Sequence, residues 1–258
     1  MIGALRRPGV RLAALGSGAY LVFLLVNLHA AWVGFALERA SGGAVALGDS
    51  EGTFWNGRGA LALRSGAAYA RIADIGWRCN PLSLFTGRLN IALSGSERET
   101  RLRASVSVGV GSVHLQNVEA SAPAALLEGA TPAAAFAKPE GSLRVKAESL
   151  EIGEGWARGA ASAEWIDAGL SGMQASRLGD YRLQITASGD RADLRLATLR
   201  GDLRLSGEGE WRAARPRVIQ LRGTAQAAPE RKDLEPVLLW MGIRGAGTSR
   251  AFAWTLPI

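Results

Sequence analysis

The run Arg101-Leu-Arg-Ala-Ser-Val-Ser-Val-Gly-Val110 determines the fold class that we expect for this chain. Its apolar side chains occupy every second position from Leu102 to Val110, and the positions between them are mostly polar. Because successive side chains of a β-strand point to opposite faces, this alternation is typical of a strand with one buried and one solvated face. Strands of this kind form antiparallel sheets, which can leave one face in water. The pattern predicts a mainly β domain.

The same texture extends on both sides of this run. Residues 193–199 and 217–222 alternate in the same way, and the chain contains 33 glycines, many of them in turn signals between such runs. Only short helices are expected, at 122–128 and within 229–241. The sequence therefore predicts a long, twisted antiparallel sheet with short helices.

Two parts of this domain, 44–130 and 139–258, resemble each other in the order of their features. In each part a glycine-rich run follows closely on a tryptophan, and a later run leads into a long hairpin. We therefore predict two similar meanders that join edge to edge into one sheet. The matching runs are 57–63 with 157–163 and 87–96 with 179–189.

The N-terminal part of the chain predicts a membrane anchor. Residues 12–37 carry no formal charge, and as a helix these 26 residues would span about 39 Å, enough to cross a hydrocarbon core of about 30 Å. Basic residues crowd the segment before it, which favours a cytoplasmic tail at 1–11 and a domain on the non-cytoplasmic side at 38–258. A cleaved signal peptide is the alternative, but its apolar region usually has only about 7–15 residues.

Small and polar residues within the predicted span are candidates for contacts with other membrane helices. Small side chains allow close approach of two helices, and polar groups in a membrane are costly unless they are satisfied. Alternatively, Asn27 and His29 lie near the outer interface and reach water. The candidate helix contacts are Ala14, Gly18, Asn27, Ala30 and Gly34.

The charge of the chain does not indicate nucleic-acid binding. The net charge is +7 and the isoelectric point is near 10.4, but Arg6, Arg7 and Arg11 precede the predicted span. Without them, 27 basic and 23 acidic residues remain, a net charge of +4. No basic run with interleaved aromatic residues is present, so we predict no nucleic-acid partner.

The sequence also lacks the patterns of an enzyme. It has two histidines and a single cysteine, Cys79, which cannot form an internal disulfide or a zinc site with other cysteines. Cys79 is either a reactive thiol or, in the reading that we favour, a partly buried bystander. No nucleophile elbow, phosphate loop or dinucleotide fingerprint occurs. We therefore predict no catalytic residues, no metal and no cofactor.

The motif Gly48-Asp-Ser-Glu-Gly-Thr-Phe-Trp-Asn-Gly57, shortly after the predicted anchor, resembles protein N of the bacterial type II secretion system. Later features follow in the family's order and extend the resemblance over nearly the whole chain, although the run 242–247 lacks a proline expected after the closing leucines. Each motif residue has either a structural role or a partner contact. These residues are Gly52, Trp55, Asn56, Gly57, Trp77, Pro81, Leu82, Gly87, Leu238, Leu239 and Gly242.

Local chemistry favours structural roles for the first of these residues. Gly52 and Gly57 are expected to bracket a turn that folds Trp55 onto the sheet, and Asn-Gly is a hairpin signal. Trp77 is expected in the core or at its rim, and Pro81 is expected to end its strand. The alternative is that the tryptophans contact a partner protein or lipid.

The resemblance implies an accessory, non-catalytic inner-membrane subunit with a periplasmic domain at 38–258. This subunit supports export of folded periplasmic proteins across the outer membrane. Its implied partners are other inner-membrane and periplasmic subunits of the system, with membrane lipid around the N-terminal helix. An exposed strand edge is expected to accept a strand from a partner. The alternative function is that of the AsmA-like group, which shares an N-terminal anchor and repeated β-rich segments, with lipid bound on the apolar face of the sheet.

Overall fold

The computed structural model describes residues 16–17, 20, 23–65, 68–129, 132–173, 175–214, 218–245 and 247–257. Over these residues the chain forms one antiparallel sheet of thirteen strands, in which each strand pairs with its neighbours in the sequence. The prediction of a mainly β, antiparallel fold is confirmed. The strands are β1 (Val45–Gly52), β2 (Asn56–Ser65), β3 (Ala68–Asn80), β4 (Arg88–Glu97), β5 (Thr100–Gly109), β6 (Ser112–Pro123), β7 (Pro139–Gly153), β8 (Trp156–Leu170), β9 (Ala175–Gly189), β10 (Arg191–Arg200), β11 (Leu203–Arg212), β12 (Val218–Ala227) and β13 (Ser249–Pro257).

The helices of the described part are short, as the sequence predicts. The expected helix at 122–128 is a 3₁₀ helix, and the expected helix within 229–241 is a 3₁₀ turn that leads into an α-helix. The α-helices are α1 (Ala31–Ala40), α2 (Pro132–Ala137) and α3 (Glu235–Trp240), and the 3₁₀ helices are Pro81–Thr86, Ala124–Gly129, Ser171–Met173 and Lys232–Leu234.

The two predicted parts form one sheet. Their expected junction lies between β6 and β7, and these strands pair along their length, for example through Val118 and Ala147. The first matching runs lie in β2 and β8, but the second lie in β4 and β9. Because β3 has no counterpart between β8 and β9, the strand order differs between the two parts. The internal repeat stays a prediction.

The strand register sorts side chains into an apolar face and a polar face. Trp77 pairs with Leu93, which pairs with Ala104, so one apolar row crosses β3, β4 and β5. The sheet keeps this segregation through its bulges. A second apolar row contains Cys79, Ile91, Val106, Leu115 and Leu150, and a row on the polar face contains Ser94, Arg103, Glu119, Lys146 and Ser162.

Two hydrophobic cores form where helical segments cover the lateral ends of the sheet. At the first strands, Ala30 before α1 packs with Trp77 and Cys79. At the last strands, the segment around α3 packs on Leu203 and Phe252 through one face, whose side chains are buried. Between the cores the apolar face is open, because Val145 and Ile152 are 40% and 43% exposed. The buried residues of the α3 segment are Leu234, Val237, Leu238 and Ile243.

The helix predicted over 12–37 is not continuous where the structure describes it. Residues 23–26 are helical, the chain turns at Asn27, and α1 begins only at Ala31 and continues to Ala40. The helix is interrupted because the carbonyl of Leu28 and the N–H of Ala30 bond to the turn after β1, and His29 forms a bridge with Thr53. Most of residues 12–22 lie outside the described residues. No helix among the described residues is long and apolar enough to cross a membrane.

Candidate interaction surfaces

The meander gives the sheet two ends. We call the end with the turns after β1, β3, β5, β7, β9 and β11 the tip end, and the opposite end the far end. Helix α1 runs from the tip end to the far end. Ala30, just before it, donates its N–H to the carbonyl of Gly52 at the tip end, and Gly43, just after it, accepts the hydroxyl of Tyr69 at the far end. The described residues directly before Leu28, 23–27, therefore lie at the tip end.

A backbone junction holds the N-terminal segment on the turn between β1 and β2. The N–H of Phe54 donates to the carbonyl of Leu28 at 2.7 Å, and the N–H of Ala30 donates to the carbonyl of Gly52 at 3.3 Å. These bonds extend the sheet by a short bridge. We call this arrangement, together with the contact of Trp55 described next, the N-terminal junction.

Trp55 ties the preceding helical turn to the same place. Its indole Nε1 donates to the carbonyl of Leu25 at 2.7 Å, and its ring meets that of Phe54 edge to face with 5.2 Å between centroids. The carbonyl of Leu25 lies at the end of a helical segment, where the last carbonyl groups lack partners within the helix. Trp55 therefore folds onto the sheet, as the sequence predicts, and also caps the N-terminal segment.

The glycines of the family motif make room for this turn. Gly52 has φ +91°, a left-handed conformation that glycine adopts at little cost. Gly57 lies under the indole of Trp77, and a Cβ at this position would be 2.5 Å from Cζ2 of that ring. The turn itself is formed by residues 53–55, and Asn56 is the first residue of β2. The expectation of an Asn-Gly hairpin turn is therefore wrong, because Gly52 supplies the left-handed residue.

Trp77 belongs to the core. It is 2% exposed, and its Nε1 donates to the carbonyl of Phe54 at 3.0 Å. A buried tryptophan removes about 150–250 Å² of surface from water, and its N–H needs an acceptor. Cys79 lies beside it, with the thiol 3.4 Å from the same carbonyl of Phe54, and burial raises the pKa of this thiol. These surroundings favour the bystander reading of Cys79 over the reactive thiol.

Ala30 and Gly34, predicted as contacts to another membrane helix, contact the sheet of their own chain. Ala30 is fully buried, and a Cβ on Gly34 would lie 3.2 Å from the carbonyl oxygen of Leu47 in β1. The small residues allow α1 to approach the strand. Asn27 is exposed, and its side-chain amide donates to the carbonyl of Phe23 at 2.8 Å. Ala14 and Gly18 lie outside the described residues.

The loop between β3 and β4 is a tight 3₁₀ helix built from motif residues. Pro81 follows the last residue of β3, as predicted, and Asn80 accepts the N–H of Leu82 at 3.1 Å. Ser83 is buried, where it donates to the carbonyl of Asn80. Gly87 closes the loop with φ +73°. The loop is thereby held in one shape with the side chain of Leu82 in solvent.

At the far end, neighbouring motif residues have different surroundings. Leu238 is 2% exposed in the core, whereas Leu239 and Trp240 are 53% and 42% exposed. Gly242 ends the helix with φ +77°, so that the N–H of Ile243 reaches the carbonyl of Leu238 at 2.8 Å. Leu238 and Gly242 therefore have structural roles, and Leu239 lies on the surface.

A charged network at the far end was not predicted from the sequence. Asp180 is buried and accepts the N–H of Asp167 at 2.7 Å and the guanidinium of Arg200. Burial opposes the ionisation of Asp180, but these hydrogen bonds outweigh it and lower the pKa of its carboxyl group. The partners are 13 and 20 residues from Asp180 in the sequence, and in a meander such spacings do not by themselves predict a contact.

The described part of the chain contains no group of three or more His, Cys, Asp or Glu side chains that could hold a metal ion. A comparison with protein families matches residues 43–252 to the family described as Type II secretion system (T2SS), protein N. The chain belongs to this protein N family. The resemblance inferred from its motifs is confirmed. No curated protein and no solved structure matches the chain.

Membership in the protein N family makes the chain a component of the type II secretion system. It implies contacts with other subunits of that system and a location in the bacterial envelope. The family match begins after α1 and reaches into β13, so it covers the sheet and the segment around α3. It therefore includes both ends of the sheet.

Proposed function

We propose that this chain is an accessory, non-catalytic subunit held in the bacterial inner membrane by a single N-terminal span. Its N-terminus lies in the cytoplasm, and its sheet lies in the periplasm, where it supports the export of folded proteins across the outer membrane. The arginines at 6, 7 and 11 support this orientation, because basic flanks of a span tend to stay in the cytoplasm. The action that we propose is scaffolding.

The N-terminal junction is the observation that carries this proposal. It fixes the apolar N-terminal segment to the tip end of the sheet through three hydrogen bonds. Strands β7, β8 and β9 contain 15 residues each, and a strand rises about 3.3 Å per residue, so the sheet is about 50 Å long. A membrane-held tip end therefore places the far end deep in the periplasm, within reach of other subunits.

Two features of the sheet suit partner proteins. Leu239 and Trp240 are exposed at the far end, and exposed tryptophans often anchor interfaces. Among the described residues, no strand pairs with the outer edge of β13. A segment of a partner can add to this edge through main-chain hydrogen bonds.

Secretion and crosslinking together test the proposal. A strain that lacks this gene should lose exoprotein secretion and keep a normal envelope barrier. A photo-crosslinking amino acid at Trp240 should capture another secretion subunit, whereas the same group at Val108, an exposed position on the apolar face, serves as the matched control. Normal secretion together with a damaged envelope barrier would contradict the proposal and favour lipid handling.

A further inference from the structure

The tip end exposes apolar side chains next to the N-terminal segment. Phe85 is 89% and Leu82 is 70% exposed in the loop after β3, and Val110 is fully exposed in the turn after β5. The two turns are adjacent, because Arg88 at the start of β4 pairs with Gly109 at the end of β5. We call Leu82, Leu84, Phe85 and Val110 the tip patch.

The tip patch is close to the apolar segment that leaves the domain. Neighbouring strands are about 4.8 Å apart, so the turn after β5 is within about 20 Å of the N-terminal junction. The described side chains of the segment that precedes the junction are exposed as well, including Tyr20 and Phe23 at 61% each. Trp32 and Phe35 extend this surface on the outer side of α1, with their rings 6.1 Å apart.

The exposure of the tip patch is built into the loop after β3. Buried Ser83 bonds to the carbonyl of Asn80 and accepts the N–H of Asn90, which closes the loop on the start of β4. These bonds fix the backbone of the loop, from which Phe85 projects into solvent. A cluster of exposed apolar side chains of this kind marks a site that contacts a protein or a membrane.

A basic cleft lies directly behind the tip patch on the polar face. Its volume is about 790 Å³, and Arg78 and Arg88 line it together with His114. None of the residues that line it is a carboxylate, and neither arginine forms an ion pair with a described residue. By contrast, the larger cleft nearer the far end mixes arginines with Asp74 and Glu119. The other polar groups of the basic cleft are Asn80, Asn90, Ser105, Ser107 and Gln116.

This order of groups matches the surface of a bilayer. Apolar side chains are outermost, and arginines follow at a short distance, as hydrocarbon is followed by phosphate in a phospholipid leaflet. Guanidinium groups bind phosphate oxygens with paired hydrogen bonds, and aromatic residues favour the membrane–water interface. The tip patch also adjoins the apolar N-terminal segment, and this favours a membrane over a protein partner as the surface that covers it.

We propose that the tip end rests on the periplasmic surface of the same membrane that holds the N-terminal segment. The tip patch enters the interface of the bilayer, and Arg78 and Arg88 bind the phosphate of a phospholipid headgroup. This inference rests on the proposed membrane tether. It makes the attachment a broad contact that fixes the tilt of the sheet.

Depth-sensitive fluorescence of the full chain tests the contact. The chain, with Cys79→Ala, is reconstituted in vesicles of phosphatidylethanolamine and phosphatidylglycerol, and the fluorophore NBD is attached to Phe85→Cys. The matched control is Phe136→Cys, which replaces another exposed phenylalanine, 64% exposed, at the far end. We expect blue-shifted emission and quenching by nitroxide lipids at position 85 only. Equal, water-like emission at both positions would overturn the proposal, and Leu82→Cys repeats the measurement if Phe85→Cys misfolds.

The arginines are tested by varying the anionic lipid. Raising the share of phosphatidylglycerol should increase the quenching at position 85 at least twofold, and Arg78→Gln with Arg88→Gln should abolish this increase. Arg101→Gln with Arg103→Gln, in the mixed-charge cleft, should leave it unchanged. If both double variants lose the increase in quenching equally, a specific phosphate contact is contradicted. It is also contradicted if inorganic phosphate binds the basic cleft while the depth of NBD at position 85 does not change with the share of phosphatidylglycerol.

Flotation of the vesicles after a wash with alkaline carbonate separates this inference from the proposed tether. If the tether is wrong, the carbonate extracts the unlabelled chain from the vesicles. If only the inference is wrong, the chain floats with the vesicles while position 85 reports water. Crosslinking in cells from position 85 to a secretion subunit, rather than to lipid, would also overturn the inference.

Discussion

The indole of Trp77 contacts Gly57 so closely that a Cβ on Gly57 would lie 2.5 Å from Cζ2 of the ring. We expect Gly57→Ala to destabilise the chain by about 1–3 kcal/mol, because overpacking forces the ring or the strand to move. Thermal unfolding of the purified chain, followed by tryptophan fluorescence, measures the change. Gly48→Ala is the control, since the nearest atom to its Cβ is 4.0 Å away, and equal destabilisation by both variants would contradict this account.

Trp55→Phe should loosen the N-terminal junction while keeping an aromatic ring in place. It removes the hydrogen bond to the carbonyl of Leu25, and one such bond contributes about 0.5–1.5 kcal/mol. We expect the amide hydrogens of Phe54 and Ala30 to exchange with solvent about 2–10-fold faster, which hydrogen exchange with mass spectrometry detects. Trp240→Phe should leave these amides unchanged. Unaltered exchange in Trp55→Phe would show that the backbone bonds hold the junction alone.

The buried carboxylate of Asp180 should make the free energy of unfolding depend on pH in the acidic range. Its pKa is lowered in the folded chain, so the unfolded chain binds more protons in acid. The stabilisation by the ionised Asp180 is therefore complete above the pKa of about 3.9 that this carboxyl group has in the unfolded chain. It is lost as the pH falls through the lower pKa of the folded chain. Asp180→Asn should reduce the free energy of unfolding at pH 7 by about 1.5–3 kcal/mol, the usual range for hydrogen bonds to charged groups.

Urea unfolding at pH 7 and at pH 3 measures this difference. The difference in the free energy of unfolding between the unmodified chain and Asp180→Asn should be smaller at pH 3 than at pH 7. The control is Asp193→Asn, at an exposed position on the neighbouring strand β10, and we expect it to change stability by less than about 0.5 kcal/mol. A difference of the same size at both values of pH would rule out an ionised Asp180 as its source.

Two adjacent leucines should separate stability from secretion. Leu238→Ala leaves a cavity in the core and should cost about 2–5 kcal/mol of stability. Leu239→Ser should leave the thermal midpoint nearly unchanged, because the side chain is exposed, and should reduce exoprotein secretion if the far end binds a partner. Normal secretion in a strain that carries Leu239→Ser with Trp240→Ser would exclude this patch as a partner contact.

The β-sheet was predictable because its signal is local. Alternation in β5 and the turn residues between runs depend on neighbours in the sequence, and the burial pattern of β5 follows the alternation as far as Val106. Beyond it, Val108 and Val110 are exposed, contrary to the expected buried face. Pro81 also follows the last residue of its strand, as its chemistry indicates. The order of these motifs was sufficient to indicate the family.

What the sequence did not predict depends on long-range contacts. The interruption of the helix at Leu28 results from pairing with a turn about 25 residues later. Hydropathy alone favours one long helix, since the pairing partner has no local signature. The ion pair of Asp180 with Arg200 likewise depends on the register of β9 against β10, which places these two residues opposite each other. The tip patch had one local signal, an apolar pair at 84–85 inside a loop bounded by proline and glycine.

The pairing of every strand with its predecessor has a consequence for biogenesis. Each strand of the sheet can add to the one before it as soon as it is available, with no wait for a distant segment. In the topology that we propose, growth can then begin at β1 and β2 beside the membrane and proceed in the order in which the chain emerges from a translocon. The segment around α3 is among the last to arrive and covers the core around Leu203. Truncation before this segment would leave an unpaired strand edge beside an open core, a form that is prone to aggregation.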